Sequence, residues 1–186
     1  MEGWIIALIV GGIVLLILLF IGTTYNSLVS LRNKVKDQWA QIDVLLKRRT
    51  DLIPNLVETV KGYAKHESET LENVIAARNK VVDAKTTEEE IKADGELSRA
   101  LGRLMAIAEA YPDLKANTNF LDLQANLKDT EDKIQYARQF YNDAVLIYKN
   151  KLEMFPSNII ASMFGFKQEA FFEASEADKE VPKVQF

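Results

Sequence analysis

The chain has no cysteine and one histidine among 186 residues, and each scarcity removes a class of chemistry. Without cysteine there is no disulfide, no thiolate nucleophile, no cysteine-based zinc site and no iron–sulfur cluster. His66 alone cannot build a multi-histidine metal site. A large excess of one charge is also missing, with 23 basic against 27 acidic side chains. Nucleic-acid binders normally carry a basic excess, so no nucleic-acid partner is expected. Charge itself is absent from one region: residues 3–31 hold none of the charged side chains. The mean hydropathy of −0.09 therefore averages two different materials, an apolar segment and a charge-rich remainder long enough to bury a core.

Residues 3–22 would span about 30 Å as a helix, the thickness of a bilayer's hydrocarbon core. Trp4 at one end and Phe20 with Tyr25 at the other occupy interfacial positions. A cleaved signal peptide would need a basic leader and a small-residue cleavage site. Met1-Glu2 supplies no basic side chain and Gly22-Thr23-Thr24 is a loose match, so the segment reads as a retained single-pass anchor in a lipid bilayer. Glu2 also excludes N-myristoylation. Arg32, Lys34 and Lys36 follow the span while nothing basic precedes it, so the positive-inside rule puts the C-terminal domain in the cytoplasm. Gly3, Ala7 and Gly11 form a small-xxx-small ridge. Such a ridge is a candidate self-association face, although small residues are common in membrane helices for no such reason.

Beyond the span, helical spacing dominates. Leu28, Leu31, Val35, Trp39, Ile42, Leu46, Ile53, Leu56, Val57, Val60, Ala64, Leu71, Val74, Ile75, Arg78 and Val82 recur mostly every three or four residues. With no turn signal after Gly22, the membrane helix is expected to run directly into this stalk. Pro54 removes a backbone donor and crowds the preceding turn, which predicts a kink or a tight break, with Asp51 able to cap a restarted helix. Thr87 and Glu90 fit a capping box opening a helix to about Ala110, which Tyr111-Pro112-Asp113 ends. Asn117-Thr118-Asn119 caps the next, whose apolar positions Phe120, Leu123, Leu127, Thr130, Ile134, Ala137, Tyr141, Ala144 and Tyr148 predict a helix to about Glu153. The expected fold is all-α: an N-terminal transmembrane helix running into an elongated antiparallel helical bundle with coiled-coil-like packing. The expected divisions are 1–24 (anchor), 25–154 (bundle) and 155–186, a Phe-rich short helix with an extended tail. Narrow a/d seams leave room for packing between protomers, which points to a homo-oligomer.

Six of the nine phenylalanines, Phe155, Phe164, Phe166, Phe171, Phe172 and Phe186, fall in the last 32 residues. Ser157 can cap a short helix with Ile159, Ile160, Met163 and Phe164 on one face, stopped by Gly165 before Phe166. Two roles compete for this region, a surface that docks on membrane or partner and a cap on the end of the bundle core. The shortage of basic residues, with only Lys167 nearby, favours the cap.

Motifs for catalysis are few. A di-iron carboxylate bundle needs two Glu-x-x-His pairs, but Tyr63 stands three residues before His66. No phosphate loop, nucleophile elbow or calcium loop is present, and Glu88-Glu89-Glu90 lacks alternating ligand spacing. His66 beside Glu67 reads as an isolated solvent-facing histidine. One cluster stands out. Arg48-Arg49-Thr50-Asp51 interrupts the apolar stripe just before Pro54. A local Arg48–Asp51 ion pair is available. A solvated face with a helix cap would explain the charges, but their place in a seam favours a docking or register-setting site. There the arginines would recognise carboxylates of another helix or another protomer.

The same residues carry a family resemblance. The chain resembles the bacterial LemA family along nearly its full length, through a membrane helix followed by Tyr25-Asn26-Ser27-Leu28-Val29, then Arg48-Arg49-Thr50-Asp51-Leu52-Ile53-Pro54-Asn55-Leu56-Val57. Val60-Lys61-Gly62-Tyr63 with His66-Glu67, Ala77-Arg78 and Tyr111-Pro112-Asp113-Leu114-Lys115-Ala116-Asn117 follow. Arg138, Tyr141-Asn142, Phe155-Pro156-Ser157-Asn158 and Gly165-Phe166 complete it. The resemblance implies an anchored up-and-down bundle at the bacterial cytoplasmic membrane. It implies no established enzymatic activity, no catalytic residues and no cofactor. The functional expectation is a non-enzymatic scaffold that assembles with copies of itself. The alternative is an adaptor presenting its bundle and the Arg48–Asp51 region to a different membrane or cytoplasmic protein.

Overall fold

A computed structural model describes residues 2–172, and the end of the Phe-rich region, including Phe186 and the expected extended tail, lies outside them. The described residues form helices and no strands: α1 Glu2–Tyr63, α2 Ser68–Asp83, α3 Thr87–Ala108, α4 Pro112–Lys115, α5 Thr118–Glu153 and α6 Ser157–Met163. They group into two compact units, Met1–Trp39 with Phe140–Phe171, and Ala40–Gln139 with Phe172. Helices α1 and α5 each contribute to both.

The unbroken passage from apolar segment to stalk agrees with the expectation. Thr23 lies within the continuous helix, its hydroxyl donating to the carbonyls of Leu19 and Phe20 at 2.9 and 3.1 Å. The apolar stretch of α1 is long enough to cross a membrane, and none of it is buried among the described residues.

Pro54 neither ends α1 nor starts a new helix. Proline at that position deprives the carbonyl four residues earlier, that of Thr50, of its helical donor. Arg78 Nε of α2 donates to the Thr50 carbonyl at 3.4 Å. A long-range donor thus takes the place of the missing N–H, and the helix continues. Asp51 consequently caps nothing; it sits inside α1 and pairs with Lys47 at 3.8 Å. The break falls instead at residues 64–67, where the apolar spacing gave no warning, and His66 lies exposed in that turn.

In the unit that begins at Ala40, the chain runs up and down four times. Asp94 of α3 and Glu131 of α5 both reach Arg49 of α1. At the other end Tyr111 bonds to Glu67, and Asn117 to Tyr63. Helix α3 therefore runs parallel to α1, while α2 and α5 run opposite. Ile42, Leu46, Ile53, Leu56, Val74, Leu97, Leu104, Leu114 and Ile134 are almost wholly buried, forming the core that holds these helices together.

Helix caps show how far local chemistry reaches. Asn117 Oδ1 accepts from the Phe120 N–H at 3.0 Å, capping α5 as expected. The box opening α3 lies one residue earlier than its sequence suggests: Thr86 Oγ1 accepts from Glu89 N, and Glu89 Oε2 accepts from Lys85 N. Ser157 does not cap α6. It donates to the Lys151 and Met154 carbonyls at 2.7 and 2.9 Å, closing the end of α5. Gly165, at φ 70°, stops α6 in the left-handed region. Phe166 N donates to the Ala161 carbonyl and Gly165 N to that of Ser162, which is a Schellman closure.

Candidate functional site

Three charged residues stand in phase with apolar faces. Arg49 falls between Leu46 and Ile53, Asp94 shares the spacing of Leu97, Leu101, Leu104 and Ala108, and Arg138 lies between Ile134 and Tyr141. Helical geometry therefore drives all three inward, where isolated charges would be costly. They meet. Arg49 Nη1 donates to Asp94 Oδ1 at 2.8 Å and lies 2.9 Å from Glu131 Oε2. Its Nη2 donates to Ser98 Oγ at 2.8 Å. Arg138 Nη2 donates to the other Asp94 oxygen, and its guanidinium lies 4.3 Å from the centre of the Phe172 ring. Asp94 has no solvent exposure at all.

Each carboxylate oxygen of Asp94 thus accepts from a different helix, α1 on one side and α5 on the other. A one-residue slip of any of these helices would bury an unpaired charge, so the cluster sets their register. Sequence reasoning singled out Arg49 but missed Asp94, Ser98 and Glu131. The available signal was the position of Asp94 on the inward stripe of α3.

The neighbouring members of the tetrad lie elsewhere. Successive helix residues point about 100° apart, and Arg48, half exposed, approaches Asp129 of α5 at 3.5 Å rather than Asp51. Lys133 donates to the same carboxylate at 2.8 Å. This bond, with the charges of Lys133 and Arg48, holds the Asp129 carboxyl below its usual range. The arginines therefore meet carboxylates of other helices of the same chain. Among the described residues, no group of three or more His, Cys, Asp or Glu side chains is placed to hold a metal ion.

A second cluster lies in the other unit, beside the end of the apolar segment. The ring of Tyr25 stands 4.8 Å from that of Phe164 and 5.7 Å from that of Phe166, and Arg32 lies over Phe166 at 5.2 Å. Further along, Trp39 meets Tyr141 edge-on at 5.3 Å, and Tyr141 Oη donates to the Ala170 carbonyl at 2.8 Å. Burial, reinforced by the Glu169 charge, pushes the Tyr141 phenol up to about 12. The expected single apolar face of α6 is divided. Ile160 is buried, Phe164 stands against Tyr25, and Ile159 and Met163 face outward. On α1, a Cβ added at Gly3 or Gly11 would meet nothing within 4 Å, and Ala7 is exposed, so the ridge is open.

Many of these contact residues also carry the resemblance noted in the sequence: Arg49, Arg78, Tyr111, Asn117, Arg138, Ser157 and Gly165. Comparison with known proteins agrees. The profile described as the LemA family matches residues 38–186. The magnetosome protein MamQ 2 of Paramagnetospirillum magneticum is 27% identical over 193 residues, covering 88% of this chain and 71% of that protein. MamQ of Magnetospirillum gryphiswaldense is 26% identical, covering 82% and 66% respectively. The protein LemA of Metamycoplasma hominis is 28% identical over 157 residues, covering 83% and 71%. With its helical architecture and a profile match over most of its length, the chain belongs to the LemA family.

Proposed function

We propose that this protein is a non-enzymatic helical scaffold, anchored by α1 in the bacterial cytoplasmic membrane, that assembles with copies of itself. The observation that carries this reading is an apolar row left exposed among the described residues. Phe140 and Ile147 stand seven residues apart on α5, Met154 follows at the same spacing just past the helix end, and the three are 60%, 48% and 61% exposed. A heptad row of large apolar side chains is the seam of a helix–helix contact, and a second copy supplies the matching row by symmetry. The open Gly3, Ala7, Gly11 ridge supports the same reading within the bilayer. The basic residues Arg32, Lys34 and Lys36 support a cytoplasmic bundle.

The test is the mass of the full-length protein in mild detergent across a wide concentration range. Oligomers are expected, weakened by Phe140→Glu with Ile147→Glu, both exposed positions whose change leaves the core intact. Monomer at every concentration overturns the scaffold. Unaltered self-association in the double variant, with loss of a co-purifying protein, would instead identify an adaptor. Arg49 is unsuited to this test because its charge holds the core register. For topology, Glu88→Cys is expected to resist impermeant thiol reagents in intact cells; labelling from outside overturns the cytoplasmic assignment.

A further inference from the structure

The longest uncharged run after the N-terminal segment is residues 154–166. It covers the turn after α5 through Pro156, α6 and the Gly165 stop. Its large apolar side chains are only partly used by the fold. Ile160 is buried, whereas Phe155 is 80%, Ile159 56% and Met163 59% exposed. No charged residue interrupts the run in sequence, and Arg32 of α1 lies over Phe166 at its end rather than over Phe155, Ile159 or Met163, so the exposed part is not the mixed surface that a water-facing helix end usually presents.

Its location explains the composition. From the Trp39–Tyr141 contact, α1 runs 14 residues back to Tyr25, about 21 Å, and α5 runs 12 residues on to Glu153, about 18 Å. The two helices are antiparallel here, so α5 ends almost level with Tyr25. The ring contacts of Tyr25 with Phe164 and Phe166 seat the segment after α5 at that level. The apolar run of α1 ends at Gly22, three residues or about one helical turn further along. The uncharged segment is therefore continuous with the surface of the membrane-crossing stretch.

We infer that Phe155, Ile159 and Met163 form a second membrane-contacting surface, inserted into the headgroup and upper acyl region of the bilayer face from which α1 emerges. The occupant of this apolar surface is lipid. Interfacial segments that bind from solution rely on basic residues for attraction to anionic headgroups. A segment tethered beside its own anchor needs none, because the anchor makes its insertion intramolecular. The shortage of basic residues that favoured a mere core cap thus loses its force. Contact on both α1 and the α5–α6 end would also fix the tilt and rotation of the anchor, as interfacial aromatics do.

The inference goes beyond the scaffold reading and shares only the membrane anchor with it. The absence of native cysteine permits a direct test. Single spin labels are placed at Phe155→Cys, Ile159→Cys and Met163→Cys in the full-length protein, reconstituted in phosphatidylethanolamine and phosphatidylglycerol vesicles. Leu18→Cys serves as the lipid reference and exposed Lys36→Cys as the aqueous one. Collision rates with oxygen and with a water-soluble nickel chelate are measured. The three patch sites are expected to show a severalfold loss of nickel accessibility relative to Lys36→Cys while remaining open to oxygen. Nickel accessibility equal to that of Lys36→Cys overturns the inference while the anchor stands. Exclusion of both reagents, the mark of cover by a second protein copy, also overturns it. An aqueous signal at Leu18→Cys overturns the anchor and this inference together, so the two failures are distinguishable.

Discussion

Replacing Asp94 by Asn removes a negative charge from a side chain with no solvent exposure, next to an Arg49 side chain that is only 4% exposed. The shape and one acceptor oxygen survive, but the counter-charge between Arg49 and Arg138 does not. Breaking a buried ion pair by removing one partner costs about 3–5 kcal/mol, because the other charge stays desolvated. Two features place the expected loss near 3 kcal/mol, the low end of that range. Glu131 remains 2.9 Å from Arg49, and the Arg138 side chain, one-quarter exposed, can turn toward water. For a chain of this size the loss corresponds to roughly 6–12 °C in Tm. The measurement is denaturant and thermal unfolding of the full-length protein in detergent, followed by far-ultraviolet circular dichroism. The double replacement Arg49→Met with Asp94→Leu removes both charges and fills the site with apolar volume, so it is expected to cost less than Asp94→Asn alone. A single variant within about 1 kcal/mol of the parent, a typical hydrogen-bond contribution, would refute the register role. So would a double variant as unstable as the sum of its parts.

Three further outcomes follow from the geometry. Arg78→Met should destabilise by about 1–3 kcal/mol by orphaning the Thr50 carbonyl, and by clearly less in a Pro54→Ala background, where residue 54 regains its N–H; equal losses in both backgrounds, read by the same unfolding assay, would refute the replacement of one donor by the other. Tyr141 titrates higher when folded than its ordinary 10.0, so the unfolded chain loses that proton first; its stabilisation is complete below pH 10 and lost as pH rises toward about 12, roughly 2–3 kcal/mol in all. Tyr141→Phe should flatten that part of the stability curve, and an unchanged slope between pH 10 and 12 would contradict the assignment. Gly165→Ala should cost about 1–2 kcal/mol from the left-handed backbone alone, since no atom lies within 4 Å of the added methyl; a neutral result would show that the α6 stop tolerates another conformation.

The long helices were legible because their apolar spacing is locally complete. Phe120 to Tyr148 announces α5, and the uncharged residues 3–31 announce the first part of α1. The Asn117 cap and the Gly165 stop were legible for the same reason, as each acts within one turn. The turn at residues 64–67 was not, because Ala64, Leu71 and Val74 keep helical spacing across it. Periodicity records which side of a helix is buried and says nothing of a reversal between two helices that both face the same core. The split of α6 was hidden similarly: Ile159 and Ile160 are chemically alike, and only the neighbours decide which is covered.

The sequence by itself determined the all-helical class, the apolar span, the placement of two caps and the suspicion that two arginines in a stripe mattered. Tertiary structure alone decided that Pro54 stays inside a helix, that Arg49 rather than Arg48 turns inward, and that Asp94 receives both Arg49 and Arg138. The physical reason is common to all three. A proline's missing donor and a buried charge are local deficits, and their compensation comes from groups 28 to 45 residues away along the chain. Helical spacing can reveal the deficit, but only packing brings the partner to it.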